Sequence, residues 1–256
     1  MTQIVVRDLS CLLVQPPSII AHRGASTDRP EHTIGAYELA LQEGADGLEC
    51  DIRLSRDGEI VCVHDGTLSR TSNGRGRVSA LSLEELRKFD YGTWHRHGQA
   101  AGLLVLDELL DLVKGTGVQL FVETKHPVRY RNEVERKLVE ALKRHRLDEQ
   151  IVMMSFSAAA VRVFRKMAPD VRTVQLVSWY RGGAMPSFAH CTGPNVRLLR
   201  NDPGYVERAR RAGLETYVWT VDSPEDIALC RDLGVRYLAT NAPANTRHLL
   251  AANLAA

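Results

Sequence analysis

The chain has 256 residues, with Lys plus Arg at 33 against Asp plus Glu at 31, a formal net charge of +2. That length carries one large core and matches a single (β/α)8 barrel, while the near-balanced charge excludes the strongly basic character of a dedicated nucleic-acid binder. Apolar residues at 44% and charged residues at 25% are ordinary for a soluble globular protein, so one domain over residues 1–256 is expected.

At the N-terminus Arg7 and Asp8 interrupt the only apolar stretch, so no hydrophobic region of signal-peptide type is read there. The first expected strand, Ile19 to His22, ends on His22-Arg23-Gly24. The next, Gly47 to Leu54, holds Glu49 and Asp51 one residue apart. Alternate residues of a strand share a face, so the two carboxylates point one way and Cys50 the other. With no basic residue between them they repel, and a divalent cation is the simplest source of compensating charge. Ile60 to His64 is the third run and ends in His64-Asp65. Residues 65–81 then exceed an ordinary connection and carry Gly66, Gly74 and Gly76 with Arg70, Arg75 and Arg77. Such a segment either stays a solvated loop or overhangs the mouth of the fold and contacts a substrate. Ser82 and Glu85 next form a capping box.

Val118 to Glu123 is a strand with Lys125 two residues beyond its end, on the same face as Glu123. Val134, Leu138 and Leu142 share one helix face. Ile151 to Ser155, Val171 to Val177 and Asn195 to Leu199 are further strands. Residues 178–194 form a second long connection, with Trp179, Tyr180, Arg181, Gly182, Gly183, Met185, Pro186 and Phe188. Asp202 precedes Pro203 at another helix start. Leu214 to Val221 is a strand after Gly213; Ser223 supplies an N-cap, Pro224 a first-turn proline and Asp226 the capping-box position. Ile227, Cys230 and Leu233 lie on one face of that helix, Gly234 stops it, and Val235 to Thr240 is the last strand.

Strand, helix, strand with short connections implies parallel pairing and right-handed crossovers. Repeated along the chain, the pattern suits a closed barrel or an open doubly wound sheet. Length favours the barrel, as do the polar residues at strand C-termini, where barrel active sites form. No Gly-rich dinucleotide or P-loop fingerprint follows a strand. The expected fold is therefore an α/β (β/α)8 TIM barrel with a short insertion after the second barrel strand region.

The cysteines at 11, 50, 62, 191 and 230 are odd in number and scattered, with no CxxC pair. Buried or reduced thiols fit better than a disulfide framework or zinc ribbon. No apolar run reaches the ~18 residues needed to span a bilayer. A cytoplasmic protein with no stable membrane insertion is expected; nothing in the sequence reads out its oligomeric state.

Two imidazoles converging on one mouth, His22 and His64, can divide general base and general acid duties near neutral pH. Glu49, Asp51 and Glu123 can hold a hard cation through oxygen, with Arg23 and Lys125 binding an anion opposite it. That assembly suits a phosphate diester: cation and clamp stabilise charge on the non-bridging oxygens while the histidines move protons.

From about Ile19 to about Leu249 the chain resembles the glycerophosphodiester phosphodiesterases. The markers are His22-Arg23-Gly24; Pro30-Glu31 with Thr33; Glu49-x-Asp51; His64-Asp65 with Leu68, Arg70, Thr71, Asn73 and Gly74; Leu83 to Leu86; Glu123-x-Lys125; Ser155-Phe156; Trp219-Thr220-Val221; and Thr240-Asn241 with Pro243. Their number and order make the combined signal strong. The resemblance implies a TIM barrel that hydrolyses a small-molecule glycerophosphodiester to glycerol 3-phosphate and an alcohol. It implies a divalent metal (Mg²⁺ or Ca²⁺, or Mn²⁺) on Glu49, Asp51 and Glu123. His22 and His64 would be the acid and base pair, Arg23 and Lys125 phosphate contacts, and Trp219 a pocket wall; the segment after His64 would shape access. Two positions depart from the family pattern: His32, where Asn usually follows Pro-Glu, and Ala244, where an acid often follows the last proline. The same residues also serve a lysophospholipase D or sphingomyelinase D-like barrel, or a catalytically silent barrel that binds a phospho-ligand. A zinc amidohydrolase is disfavoured because His22-Arg23-Gly24 lacks the paired histidines of its first strand.

Overall fold

A computed structural model describes residues 15–127, 131–178 and 184–252; Arg7, Asp8, Cys11 and residues 179–183 lie outside the described residues. The strands are β1 (Ser18–His22), β2 (Gly47–Leu54), β3 (Ile60–Cys62), β4 (Gln119–Thr124), β5 (Ile151–Ser155), β6 (Arg172–Val177), β7 (Cys191–Pro194), β8 (Glu215–Val218) and β9 (Tyr237–Thr240). Every strand but β3 runs parallel to its neighbours, and β1 closes the ring by pairing with both β2 and β9. At the seam Ala21 stands opposite Leu48 on one side and Thr240 on the other. The fold is the closed eight-stranded parallel barrel that the alternation of elements predicts.

The barrel is filled, not hollow. Ile20, Phe121, Val152, Val174, Tyr217 and Tyr237 are buried inside it, and the Phe121 ring lies 5.1 Å from both Tyr217 and Tyr237. Alternate strand residues such as Leu48, Cys50, Val122 and Met153 point outward into the layer beneath the helices. Those helices are α1 (Ile34–Gln42), α2 (Leu83–Leu86), α3 (Leu106–Val113), α4 (Glu133–His145), α5 (Ala158–Met167), α6 (Val196–Asn201), α7 (Gly204–Arg211), α8 (Pro224–Asp232) and α9 (Pro243–Ala252). The four described cysteines, Cys50, Cys62, Cys191 and Cys230, are buried free thiols. Among the described residues no helix is long and apolar enough to cross a membrane.

Three expectations are corrected. Ile60 to His64 is not a barrel strand: β3 stops at Cys62 and pairs antiparallel with the outer end of β2, Ile52 opposite Cys62. A hairpin this short, Ser55 to Glu59 between strands, cannot make a parallel crossover. Asn195 to Leu199 is helical: Asn195 accepts from Arg197 N as the N-cap of α6, and Val196 and Leu199, three apart, face the core. The true strand is Cys191-Thr-Gly-Pro, whose Gly and Pro disguise it. Gly193 is required there, since a Cβ would come 2.6 Å from Leu176 Cδ2. At α8, Ser223 accepts from Asp226 N, but the Asp226 carboxylate turns to Arg200 instead of completing a capping box. At α2 the Ser82–Glu85 box is complete.

Between β3 and α3 lies the insertion, with a core of its own: Val61, Val63, Leu68, Val78, Leu86, Tyr91 and Leu103 are buried together.

Candidate active site

The C-terminal ends of β1, β2 and β4 deliver the charged half of one pocket. β1 ends in His22, and the next two residues turn sharply: Arg23 has φ +60° and Gly24 φ +84°. A Cβ on Gly24 would come 2.7 Å from the Ala36 carbonyl carbon, so glycine is needed for α1 to pack against this turn. The turn aims the Arg23 backbone N–H at Glu49 Oε2, 3.0 Å away, and its guanidinium at Asp51 Oδ2, 2.9 Å away. His22 Nδ1 lies 2.8 Å from Asn241 Oδ1 at the end of β9. The amide oxygen can only accept, so Nδ1 carries the proton. Asn241 is itself fixed by donating from Nδ2 to Asp222 Oδ2 at 2.7 Å. Burial, reinforced by the neighbouring Arg23, pushes the His22 imidazole down to about 3.

Glu49, Asp51 and Glu123 converge, each offering an oxygen within 4.8 Å of the others, and all three are buried. Lys125 Nζ stands 2.8 Å from Asp51 Oδ1 and 2.7 Å from Glu123 Oε1. Burial opposes ionisation of Asp51, but Lys125 and Arg23 outweigh it and hold the carboxyl well below its usual range. The other two are not compensated in this way. Burial and the Asp51 charge raise Glu49, and the same causes lift Glu123 to about 7. Carboxylate oxygens gathered with this unmet demand for positive charge suit a hard divalent cation, and Glu49, Asp51 and Glu123 could hold one.

His64 reaches the same pocket from the segment after β3. Its Nδ1 donates to Asp65 Oδ1 at 2.7 Å, leaving Nε2 as the other ring atom. Burial lowers its imidazole, with Asp51 acting in the opposite sense. Asp65 Oδ2 accepts from Arg70 Nε at 2.6 Å, and the two terminal nitrogens of Arg70 hold Glu31 at 2.7 and 2.8 Å. Asp65 and Arg70 thus bring the start of residues 65–81 to the edge of the pocket.

Opposite the charges, β5, β6 and β8 contribute Met154, Phe156, Leu176, Tyr217 and Trp219. The Phe156 and Trp219 rings meet edge to face at 5.3 Å, and Trp219 Nε1 donates to Gly193 O at 2.8 Å. Phe156 is 42% exposed, an unusual state for a large apolar ring.

The eight candidate site residues come together here: His22, Arg23, Glu49, His64, Glu123, Lys125 and Trp219 line the pocket, and Asp51 sits within the acidic cluster. His32, which stands where the family usually has Asn, is buried between Tyr37 and Asp51. Its φ is +58°, a region that favours Asn and His among non-glycine residues, and its Nε2 lies 2.9 Å from Asp51 Oδ2. Residue-by-residue reasoning did not give Asp222 or the His22 partnership of Asn241. The signal available was topological, since a closed barrel brings the end of its last strand beside the end of its first.

Residues 22–245 match the model of the Glycerophosphoryl diester phosphodiesterase family. The chain belongs to that family. As a glycerophosphoryl diester phosphodiesterase family member it is an enzyme of phosphodiester hydrolysis, not a silent barrel. It is 45% identical over 256 residues to the "Probable glycerophosphodiester phosphodiesterase 1" of Mycobacterium tuberculosis, covering 92% of this chain and 93% of that one. It is 33% identical to the glycerophosphodiester phosphodiesterase of Bacillus subtilis, over 90% of this chain and 86% of that one. Among solved structures, the Agrobacterium tumefaciens glycerophosphodiester phosphodiesterase superposes with TM-score 0.77 at 29% identity, covering 92% and 99% of the two chains. An Oleispira antarctica phosphodiesterase in complex with the product sn-glycerol-3-phosphate gives TM-score 0.84 at 25% identity, covering 92% and 97%.

Proposed function

We propose that this single barrel hydrolyses glycerophosphodiesters to glycerol 3-phosphate and an alcohol, with His22 and His64 moving the protons. The observation that carries the reading is the convergence of both imidazoles, Arg23, Lys125 and the acidic cluster on one pocket at the C-terminal end of the strands. The glycerol 3-phosphate product bound to the Oleispira relative supports the same substrate class.

A divalent cation, Mg²⁺, Ca²⁺ or Mn²⁺, held by Glu49, Asp51 and Glu123 would supply Lewis-acid stabilisation of the phosphoryl oxygens. Arg23 and Lys125 add fixed positive charge for the diester anion. With Nδ1–H donating to Asn241, neutral His22 presents Nε2 as a base to the attacking oxygen, either water, which gives glycerol 3-phosphate directly, or the neighbouring glycerol hydroxyl, which gives a cyclic phosphate that water then opens. His64, whose imidazolium Asp65 stabilises through Nδ1–H, gives its Nε2 proton to the leaving alcohol oxygen as the P–O bond breaks. The Trp219 and Phe156 rings receive the uncharged parts of the substrate.

The exposed Phe156 ring against partly buried Trp219 also favours a second reading, in which the glycerol side of the substrate carries an acyl chain, as in a lysophospholipid. A panel of glycerophosphocholine, glycerophosphoethanolamine, glycerophosphoglycerol and lysophosphatidylcholine, assayed with and without chelator for glycerol 3-phosphate from the water-soluble diesters and for choline from the lysophospholipid, tests both. Chelator-sensitive release of glycerol 3-phosphate is expected from the water-soluble diesters. Preferential turnover of the lysophospholipid would replace the first reading by the second, and no turnover with any of the three metals would overturn both. The buried free thiols support a reducing, cytoplasmic setting.

A further inference from the structure

Arg70 belongs to the insertion, yet its side chain leaves that segment to touch two others. Its terminal nitrogens grip both oxygens of Glu31, at 2.7 and 2.8 Å, and its Nε lies 2.6 Å from Asp65 Oδ2. Each carboxylate then reaches a different part of the pocket. Glu31 Oε1 also accepts from Arg23 Nη1 at 3.0 Å, and Asp65 Oδ1 accepts from His64 Nδ1–H at 2.7 Å. Arg70 thus joins the Arg23 side of the pocket to the His64 side.

The backbone under it is built to hold that position. Leu68 is buried in the insertion core, Leu68 N bonds to Gly76 O, and Ser72 Oγ returns to Leu68 O at 2.8 Å. Glu31, which burial alone would raise, is pulled down to about 2 chiefly by its bonds with Arg70, so the pair is ionised across the working range. A guanidinium supplies three donors in one rigid plane here; a lysine ammonium cannot span both carboxylates with the same geometry.

We propose that Arg70 is a positioning residue for proton delivery: it locks the Asp65 carboxylate, and through it the His64 ring, in the orientation that aims Nε2 at the leaving oxygen. The inference rests on the reading of His64 as the general acid. In the step concerned, the bond from phosphorus to the leaving oxygen breaks, that oxygen keeps the electron pair, and the His64 Nε2 proton transfers to it. A leaving group that is stable as an anion needs no such proton. Loss of Arg70 therefore shows as a dependence on the leaving group, which a general weakening of the fold would not produce.

The experiment compares kcat for glycerophosphocholine with kcat for a glycerol p-nitrophenyl phosphodiester in the metal-loaded wild type, His64→Ala, Arg70→Ala and Arg70→Lys. The acid contributes about 10²- to 10⁴-fold, so His64→Ala is expected to lose that factor on glycerophosphocholine and far less on the aryl ester. Arg70→Ala is expected to show the same selective loss at about 10-fold or more, and Arg70→Lys an intermediate loss, a fraction of the acid's full contribution. Selective loss in His64→Ala alongside an equal loss on both esters, or none, in Arg70→Ala overturns the Arg70 proposal alone. Equal loss on both esters in His64→Ala overturns the acid reading, and the route through Arg70 with it.

Discussion

His22 and Asn241 meet across the closing seam of the barrel, Nδ1 to Oδ1 at 2.8 Å, although 219 positions separate them in the chain. The contact sets which ring nitrogen of His22 is free to accept a proton. Replacing Asn241 with leucine keeps the bulk and removes the acceptor, so the ring can adopt the wrong tautomer. A fall in kcat of about 10- to 100-fold is expected, part of a general base's full contribution, with KM nearly unchanged. Steady-state kinetics on glycerophosphocholine check this, and an unchanged kcat would remove Asn241 from the catalytic apparatus.

Lys125 has the opposite signature. Its ammonium stands between Asp51 and Glu123, and Lys125→Met keeps the stem while deleting the charge. KM for the diester should rise about tenfold or more, consistent with loss of a charge-assisted contact worth ~1.5–3 kcal/mol. If KM stays fixed while metal affinity alone changes, Lys125 serves the carboxylates and not the phosphate.

Metal binding should be visible without turnover. A ligand that binds only the folded state stabilises it, by about 2.7 kcal/mol at a hundred times its Kd. Mg²⁺, Ca²⁺ or Mn²⁺ should therefore raise the thermal midpoint of the chelator-treated protein, and Glu123→Gln should abolish the rise. A rise of the same size in Glu123→Gln would remove Glu123 from the ligand set.

Acid should weaken the metal-free protein partly through His22. The folded-state value is depressed to about 3 from the ordinary 6.5, so between those limits the unfolded chain binds a proton that the folded one refuses. The stabilisation is fully present above pH 6.5 and is lost as pH falls toward 3, at up to about 1.4 kcal/mol per pH unit. Because the ring is partly open to the pocket, that slope is an upper limit. Urea unfolding at pH 7 and pH 5, in chelator, should show the wild type losing up to about 2 kcal/mol relative to His22→Asn. Parallel losses in the two proteins would contradict the depressed value.

Phe121 is fully buried between Tyr217 and Tyr237 at the barrel centre. Phe121→Ala should cost about 3–5 kcal/mol, since the surrounding strands are held by their ladders and collapse poorly around a void. Chemical denaturation measures this directly.

The parts legible in sequence were those with a local period or a local terminus. Glu49 and Asp51 read as one face because a strand alternates, and Lys125 read as a neighbour of Glu123 for the same reason. The Ser82–Glu85 box formed as its spacing indicates. Illegible parts depended on distant chain. Cys191-Thr-Gly-Pro looks like a loop until Val174 and Leu176 are seen to demand a glycine beside them. Ile60 to His64 has a strand's composition, and only its hairpin with β2 shows that it stands outside the barrel. Asp222 sits in the loop just after β8, and its hold on Asn241 exists only once β8 and β9 are side by side.

The small core around Leu68, Val78, Leu86 and Tyr91 stands apart from the barrel filling and hangs from a three-residue edge strand, β3. None of the ring's own ladder bonds passes through it. Residues on its outer face can therefore be exchanged, and its length altered, without reopening the seam between β1 and β2. Evolution can recast the doorway for new alcohols while the acids and His22 behind it stay as built, provided the stretch that carries His64, Asp65 and Arg70 is kept.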